Sequence, residues 1–213
     1  MKIIKISGTI IPNDYKDVYD WFGIESTSPA DVEAALDGVD EDVVFEINSG
    51  GGAIFAGSEI YSRIVKHEGE KRIDITGIAG SAASVIACAA RSRIAPTGMV
   101  MIHNVSSIVA GDWQDMAHES DVLRECSRAI AGAYEQKTGK TEDELLELMN
   151  AETWMSAKEA VENGFVDEIM RTEPTNSYGR VLTNAEIEQA RLEMKRAAEQ
   201  EKVNILKLME VRK

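Results

Sequence analysis

The sequence predicts an α/β fold in which a mainly parallel sheet is covered by helices. A unit of strand, glycine turn and helix occurs over residues 43–66 and again over residues 72–90. Parallel strands need a crossover connection, which usually contains a helix. A long charged helix over residues 113–137 and a helical C-terminal extension complete the predicted architecture.

The N-terminal segment predicts one strand, one loop and one helix. Residues 2–11 are rich in isoleucine, which is typical of a strand. Residues 13–27 are polar and aromatic without a clear period, so we expect a loop there. Residues 28–31 supply a cap, a proline and an acid at the spacing of a helix start, and this helix should end near Leu36.

The two strand–turn–helix units are followed by further apolar segments. The units comprise strand 43–47, turn 48–52 and helix 54–66, then strand 72–77, turn 80–83 and helix 84–90. Ile94 and residues 99–102 mark the apolar segments. Capping boxes at Thr141 and Ser156 predict two more helices, and residues 165–170 predict a last short strand.

The composition changes near the C-terminus, which predicts two parts. Residues 1–173 form the expected domain, and residues 174–213 form an appendage. Pro174, Asn176 and Gly179 are typical of a linker, and residues 184–209 predict a charged helix.

The charge and the apolar runs exclude several classes of partner. The sequence has 23 Lys and Arg residues and 37 Asp and Glu residues, and the resulting net charge of -14 repels phosphate and anionic lipid. We therefore expect neither nucleic acid nor a membrane as a partner. The longest apolar run, residues 78–90, is shorter than the roughly 20 residues of a membrane span. The N-terminus does not resemble a signal peptide, so a cytoplasmic protein is expected.

Residues 77–90 contain only Gly, Ser, Ala, Val, Ile and Cys. Such small side chains are compatible with a tight turn that presents a nucleophilic serine. A nucleophilic serine needs a tight turn that exposes its hydroxyl and lets a substrate come close. Ser84 would stand at the start of the following helix, and His103 ends an apolar strand at the sheet edge where α/β proteins usually keep their sites. An alanine-rich helix packed on the sheet is the competing interpretation of Ser84. The competing interpretation of His103 is a satisfied polar residue.

The glycine run at residues 50–52 could aim a backbone N–H into the same crevice. A phosphate cradle is the alternative, but the run lacks the lysine and hydroxyl of a P-loop and the spaced glycines of a dinucleotide site.

Four ordered segments resemble the ClpP family of self-compartmentalising serine peptidases. They are residues 47–57, 80–84, 100–103, and 156–160 together with 164–167. The fold implied is the ClpP/crotonase-like one, with repeated ββα units and a long handle helix. The N-terminal part, residues 152–154 and the charged extension look more like the phage and prophage proteases associated with head maturation.

This resemblance implies a role for each site residue. Ser84 would be the nucleophile and His103 the general base, while the backbone N–H groups of Gly52 and Val85 would form the oxyanion hole. Glu152 falls where the family has a catalytic aspartate. A surface glutamate at this position, with Asp167 as the nearest rival acid, is the alternative.

The resemblance also implies an assembly and a substrate class. A homo-oligomer is expected, as a single or doubled heptameric ring, with a polypeptide substrate such as a capsid or scaffolding protein. No metal, nucleotide or other cofactor is needed for the chemistry, and docking of an ATP-driven (AAA+) unfoldase stays open. The expected location is the cytoplasm of a bacterial host or phage-infected cell.

Two other functions fit parts of the pattern. A crotonase-type acyl-CoA enzyme would use the same two backbone donors without Ser84. An inactive ring-forming structural protein would account for the glutamate at position 152.

Overall fold

A computed structural model describes residues 1–171 and 183–210. The chain divides into two units, Met1–Thr172 and Glu173–Lys213. The linker predicted at residues 174–179 lies outside the described residues.

The described part of the first unit contains one sheet of eight strands, almost all of them parallel. The strands are β1 Lys2–Ile10, β2 Ser26–Thr27, β3 Val43–Gly52, β4 Lys71–Gly80, β5 Arg91–Ile94, β6 Met99–Ile102, β7 Thr153–Ser156 and β8 Glu168–Ile169. The main order is β2-β1-β3-β4-β5-β8, while β6 pairs with β4 and β7 pairs with β6. Only the β6–β7 pairing is antiparallel, so the predicted α/β fold with a mainly parallel sheet is confirmed.

In the described residues, seven α-helices of the first unit connect its strands or pack on them, and an eighth belongs to the second unit. They are α1 Lys16–Phe22, α2 Pro29–Leu36, α3 Ile54–Lys66, α4 Ala82–Ala87, α5 Trp113–Thr138, α6 Glu142–Asn150, α7 Ala157–Glu162 and α8 Asn184–Glu210. Capping boxes begin α2, α6 and α7 as the sequence predicts, and another begins α5. The helix expected over residues 184–209 is present as α8. No helix in the described part of the chain has the length and apolar content that a bilayer crossing needs.

The core is built from the central strands and the helices packed on them. Fully buried isoleucines lie on one face of the middle strands, where the parallel register places Ile6, Ile47 and Ile75 in one row. They include Ile6 on β1, Ile47 on β3, and Ile73 and Ile75 on β4. Ile60 and Ile64 of α3 bury against the same cluster. This core holds the strand ends in fixed register.

Several local predictions are wrong, and residues 48–52, predicted as a turn, form the second half of β3. Residues 13–27 form a short 3₁₀ helix, α1 and β2 rather than a loop. Helix α1 buries none of its side chains, and its apolar residues at helical spacing, Val18, Trp21 and Phe22, are exposed. Another error is the helix predicted from Ser84, because α4 begins at Ala82. Ser84 therefore lies inside the first turn of the helix.

The long strand β4 divides its pairing between two neighbours. Its first half, residues 72–75, pairs with β5, and its last three residues pair with β6. In the second pairing Gly80 lies opposite Met101. The carboxyl ends of β3, β4 and β6 consequently meet at one edge of the sheet, which is where an α/β fold usually places its ligand or active site.

Candidate active site

Ser81 follows β4 directly and has a strained backbone. Its φ of 52° and ψ of -123° lie outside the regions that L-residues favour. Such strain persists only where the surroundings over-determine it. The Ser81 N–H donates to the Met101 carbonyl at 2.8 Å, and the Ser81 carbonyl accepts from the N–H groups of Ser84 and Val85. The sharp turn thus places the Ser81 side chain at the sheet edge.

The imidazole of His103 meets this side chain. His103 comes immediately after β6, and its Nε2 lies 2.7 Å from Ser81 Oγ. Both residues are half-buried and line the same cleft. An imidazole nitrogen at this distance can accept the hydroxyl proton, which is what makes a serine nucleophilic.

The structure corrects the prediction for Ser84. The Ser84 side chain is buried and makes two hydrogen bonds, one to the Ser81 carbonyl oxygen at 2.6 Å and one with the Tyr134 hydroxyl at 2.8 Å. His103 bonds to Ser81 instead. The reason is the position of the helix start, because a helix that begins at Ala82 turns Ser84 inward against α5.

The predicted backbone donor at Val85 is wrong for the same reason. The Val85 N–H donates to the Ser81 carbonyl at 3.4 Å, and Val85 is buried. The Ala82 N–H occupies the first helical position, where no carbonyl of the same helix can accept from it. Among the described residues nothing else accepts from it either. The free donor therefore belongs to the residue after Ser81.

Gly52, the other predicted backbone donor, is the last residue of β3. In the parallel pairing of β1 and β3, Ile10 lies opposite Gly52, and its carbonyl accepts from the N–H of Ala53 at 2.8 Å. Pairing of β3 with β4 ends at Ser49 and Ala79, before Gly52 is reached. Gly52 lines the cleft together with Ser81 and His103.

Gly51 explains how β3 and the serine turn approach so closely. A Cβ at this position would lie 2.7 Å from the Ser81 Cβ and 3.0 Å from the Ala82 nitrogen. The φ of Gly51, +101°, is also one that other residues rarely adopt. A glycine is needed here to bring the two strand ends together.

Glu152 lies near His103 in the backbone but is not bonded to its ring. The antiparallel register pairs Ile102 with Thr153, which continues to His103 opposite Glu152. The Glu152 carboxylate accepts from the Trp154 indole N–H at 3.2 Å. Within residues 1–171 and 183–210, no carboxylate bonds to the His103 imidazole. In the same residues Glu152 and Ser81 are the two non-glycine residues with positive φ.

Asp167, the alternative catalytic acid, contacts Ser92 and Lys137 and not His103. It accepts from the N–H of Ser92 at 2.6 Å and forms an ion pair with Lys137. Burial works to raise the pKa of Asp167, but the hydrogen bonds from Lys137 and Ser92 outweigh it and hold the pKa below its ordinary value. This carboxylate ties α5 to the start of β5 and has no hydrogen bond to His103.

The cleft beside Ser81 has a volume of about 790 Å³ and a mixed lining. Its apolar walls are formed by Ile54, Phe55, Met101, Val105 and Ile130. Asp14 and Glu59 add two carboxylates, and residues 12–14 come from the segment that precedes α1. In the described part of the chain, no three His, Cys, Asp or Glu side chains are grouped in a way that could hold a metal ion.

Comparison with known proteins places this geometry in a family. The sequence profile of Clp protease matches residues 33–173, which include all of the strand ends described above. The chain belongs to the Clp protease family.

Curated members of the Clp protease family resemble the chain over most of their length. The ATP-dependent Clp protease proteolytic subunit 1 of Chlamydia muridarum is 31% identical over 156 residues, 70% of this chain and 75% of the relative. The proteolytic subunit of Chaetosphaeridium globosum is 38% identical over 144 residues, 64% and 70% of the two chains. Subunit 2 of Thermobifida fusca is 26% identical over 144 residues, 66% and 71%.

The sequence interpretation singled out neither Ser81, which contacts His103, nor Ala82 and Tyr134, which lie around the same turn. Two serines three residues apart both fit a small-residue turn, and composition does not distinguish them. The available signal was the position of Ser81 directly after Gly80, at the end of a strand. Tyr134 carried no signal, because its apolar neighbours in α5 made it part of a helical stripe.

Proposed function

We propose that this chain is a serine endopeptidase that cleaves peptide bonds through an acyl-enzyme intermediate. The observation that carries the proposal is the 2.7 Å separation between Ser81 Oγ and His103 Nε2 at the edge of the cleft. Membership of the Clp protease family supports it. The nucleophile is Ser81 rather than the Ser84 predicted from the sequence.

In the proposed reaction, Ser81 Oγ attacks the scissile carbonyl carbon while His103 Nε2 takes the hydroxyl proton. His103 then returns this proton to the leaving amine as the C–N bond breaks. A water molecule attacks the acyl-enzyme by the same route, which releases the acid and restores the Ser81 hydroxyl. The N–H groups of Ala82 and Gly52 bind the oxyanion, and loss of one such donor typically raises a barrier by about 3–4 kcal/mol.

Glu152 is the proposed third member of the triad. Its backbone lies opposite His103 by strand register, and its carboxylate is held by a single hydrogen bond from Trp154. Rotation of this side chain toward His103 would orient the imidazole and stabilise its cation. The positive φ of Glu152, 48°, is strain of the kind that clusters at active sites.

A ring assembly and a phage-type substrate belong to the same proposal. The first half of α5 exposes Trp113, Met116 and Val122, an apolar surface suited to contact between subunits in a single or doubled heptameric ring. The charged C-terminal helix and the segment at residues 152–154 favour head maturation, with a capsid or scaffolding protein as substrate. Cleavage of such a protein by the wild type but not by Ser81→Ala would support this substrate class.

Reaction with a fluorophosphonate probe tests the proposal. The Ser81 oxygen should displace fluoride from phosphorus, so the wild type becomes labelled and Ser81→Ala does not. Ser62→Ala, which changes an exposed serine on α3, is the matched control and should label like the wild type. A folded, assembled wild type that stays unlabelled would favour the inactive structural protein. Binding of an acyl-CoA thioester without labelling would favour the crotonase-type enzyme.

A further inference from the structure

A buried tyrosine contacts the serine turn from behind. Tyr134 of α5 is completely buried and packs edge-on against Phe165, with ring centroids 5.5 Å apart. Its hydroxyl lies 2.8 Å from Ser84 Oγ. A phenylalanine would fill this apolar site without the cost of burying a hydroxyl group. The hydroxyl therefore calls for an explanation that packing does not supply.

The direction of these hydrogen bonds follows from the groups involved. The Ser81 carbonyl oxygen can only accept, so the Ser84 hydroxyl, 2.6 Å away, uses its one proton there. The Tyr134 hydroxyl must then donate to Ser84 Oγ. Burial raises the pKa of Tyr134, against a smaller lowering by the Ser84 hydrogen bond, so the phenol stays protonated at neutral pH. The two hydrogen bonds therefore run in series, from the Tyr134 hydroxyl to Ser84 Oγ and from the Ser84 hydroxyl to the Ser81 carbonyl oxygen.

The Ser81 carbonyl belongs to the same rigid unit as the free Ala82 N–H. A trans peptide unit is planar, and its C=O and N–H point in opposite directions. Whatever fixes the carbonyl oxygen therefore fixes the direction of the N–H. Of the three donors to this oxygen, the Ser84 hydroxyl is the closest, at 2.6 Å, against 2.9 Å and 3.4 Å for the N–H groups of Ser84 and Val85.

We propose that Tyr134 and Ser84 are positioning residues that aim the Ala82 N–H at the oxyanion by holding the Ser81 carbonyl. The inference rests on the proposed peptidase function. It adds a pair of residues on α5 and α4 that touch neither substrate nor the His103 base. It also accounts for the strained backbone of Ser81, because a turn with φ of 52° needs such support from its surroundings.

Tyr134→Phe is the sharpest test, since it removes one oxygen atom. We expect kcat for a peptide substrate to fall about three- to tenfold, the effect of one hydrogen bond, with KM unchanged. An oxyanion donor acts in the transition state, so the affinity for a peptide boronate should fall by the same factor. Tyr61→Phe is the matched control: it removes a hydroxyl from α3 that contacts Gln136, and both constants should stay at the wild-type value.

Variants of Ser84 complete the test. Ser84→Ala should lower kcat further than Tyr134→Phe, because it removes the donor to the carbonyl and leaves the tyrosine hydroxyl buried without its partner. Ser84→Thr should restore most of the rate, since it keeps the hydroxyl. The double variant Tyr134→Phe with Ser84→Ala should be no slower than Ser84→Ala alone. If the losses in kcat of the two single variants add in the double variant, the proposed series of hydrogen bonds is overturned.

The remaining outcomes separate this inference from the peptidase function. A Tyr134→Phe variant with a lower melting temperature but wild-type kcat and boronate affinity would overturn the positioning role. If the wild type neither cleaves peptide nor reacts with a fluorophosphonate, the peptidase function fails. Crystal structures of the wild type and Tyr134→Phe then decide: rotation of the peptide unit between Ser81 and Ala82 supports the positioning claim, and an unchanged unit overturns it.

Discussion

The turn before α4 and the first turn inside α4 each hold a serine, and the two serines have opposite environments. Ser81 is half-buried and strained, and it shares a hydrogen bond with His103. Ser84 is buried, has ordinary helical geometry, and bonds to the backbone and Tyr134. The residue type is the same, so the difference lies in where the helix begins. A shift of that boundary by two residues decides which hydroxyl reaches the imidazole of His103.

Replacing each serine by alanine should show the largest difference between these two turns. Ser81→Ala removes the attacking oxygen and should lower peptide hydrolysis by at least about 10³-fold. Ser84→Ala keeps that oxygen and should lower kcat by only about 10- to 30-fold, because the Ala82 N–H is no longer aimed at the oxyanion. Steady-state hydrolysis of a fluorogenic peptide measures both. Equal losses in the two variants would contradict the distinction.

Glu152→Gln should give the next largest effect. The amide keeps the shape of the side chain but cannot stabilise a His103 cation, so kcat should fall about 10²-fold with little change in the melting temperature. Glu159→Gln, at the cap of α7, is the matched control and should leave kcat unchanged. A Glu152→Gln enzyme with full activity would remove Glu152 from the triad.

Gly51→Ala tests whether the approach of β3 to the serine turn is as tight as described. The added Cβ would lie 2.7 Å from both the Gly80 oxygen and the Ser81 Cβ, at a backbone φ of +101°. We expect a loss of about 1–3 kcal/mol in the free energy of unfolding, together with a large loss of activity. Gly50→Ala meets nothing within 4 Å and should keep the wild-type stability. Chemical denaturation of both variants makes the comparison.

Asp167→Asn should affect stability and not catalysis. The pKa of Asp167 is lowered in the folded state, so its contribution is present above the unfolded pKa and is lost as the pH falls through the folded one. The variant should lose about 1 kcal/mol at neutral pH, since this carboxylate is partly exposed. The difference should shrink below about pH 4.

Glu168→Gln is the control for Asp167→Asn. Its carboxylate makes only a 3.8 Å contact with Arg91, and its loss should be smaller at every pH. A fall in kcat of Asp167→Asn at constant stability would return this residue to the list of catalytic acids.

The sequence alone allowed the sheet, most helices and the place of His103 at a strand end to be predicted. Apolar strands, capping boxes and glycine turns are local signals, and His103 needed only its position after a strand. Helix α1 was missed because its apolar residues at helical spacing, Val18, Trp21 and Phe22, span only about one turn. Choosing between Ser81 and Ser84 required the pairing of Gly80 with Met101, which is a contact between distant parts of the chain. Local composition contains no information about that register.

Mass spectrometric mapping of the fluorophosphonate adduct tests the central claim most directly. Digestion of the labelled protein and fragmentation of the peptide that spans the α4 turn would identify the modified side chain. We predict that the phosphonyl group is bonded to Ser81. An adduct on Ser84, or an adduct on Ser81 that forms equally fast without His103, would contradict the account.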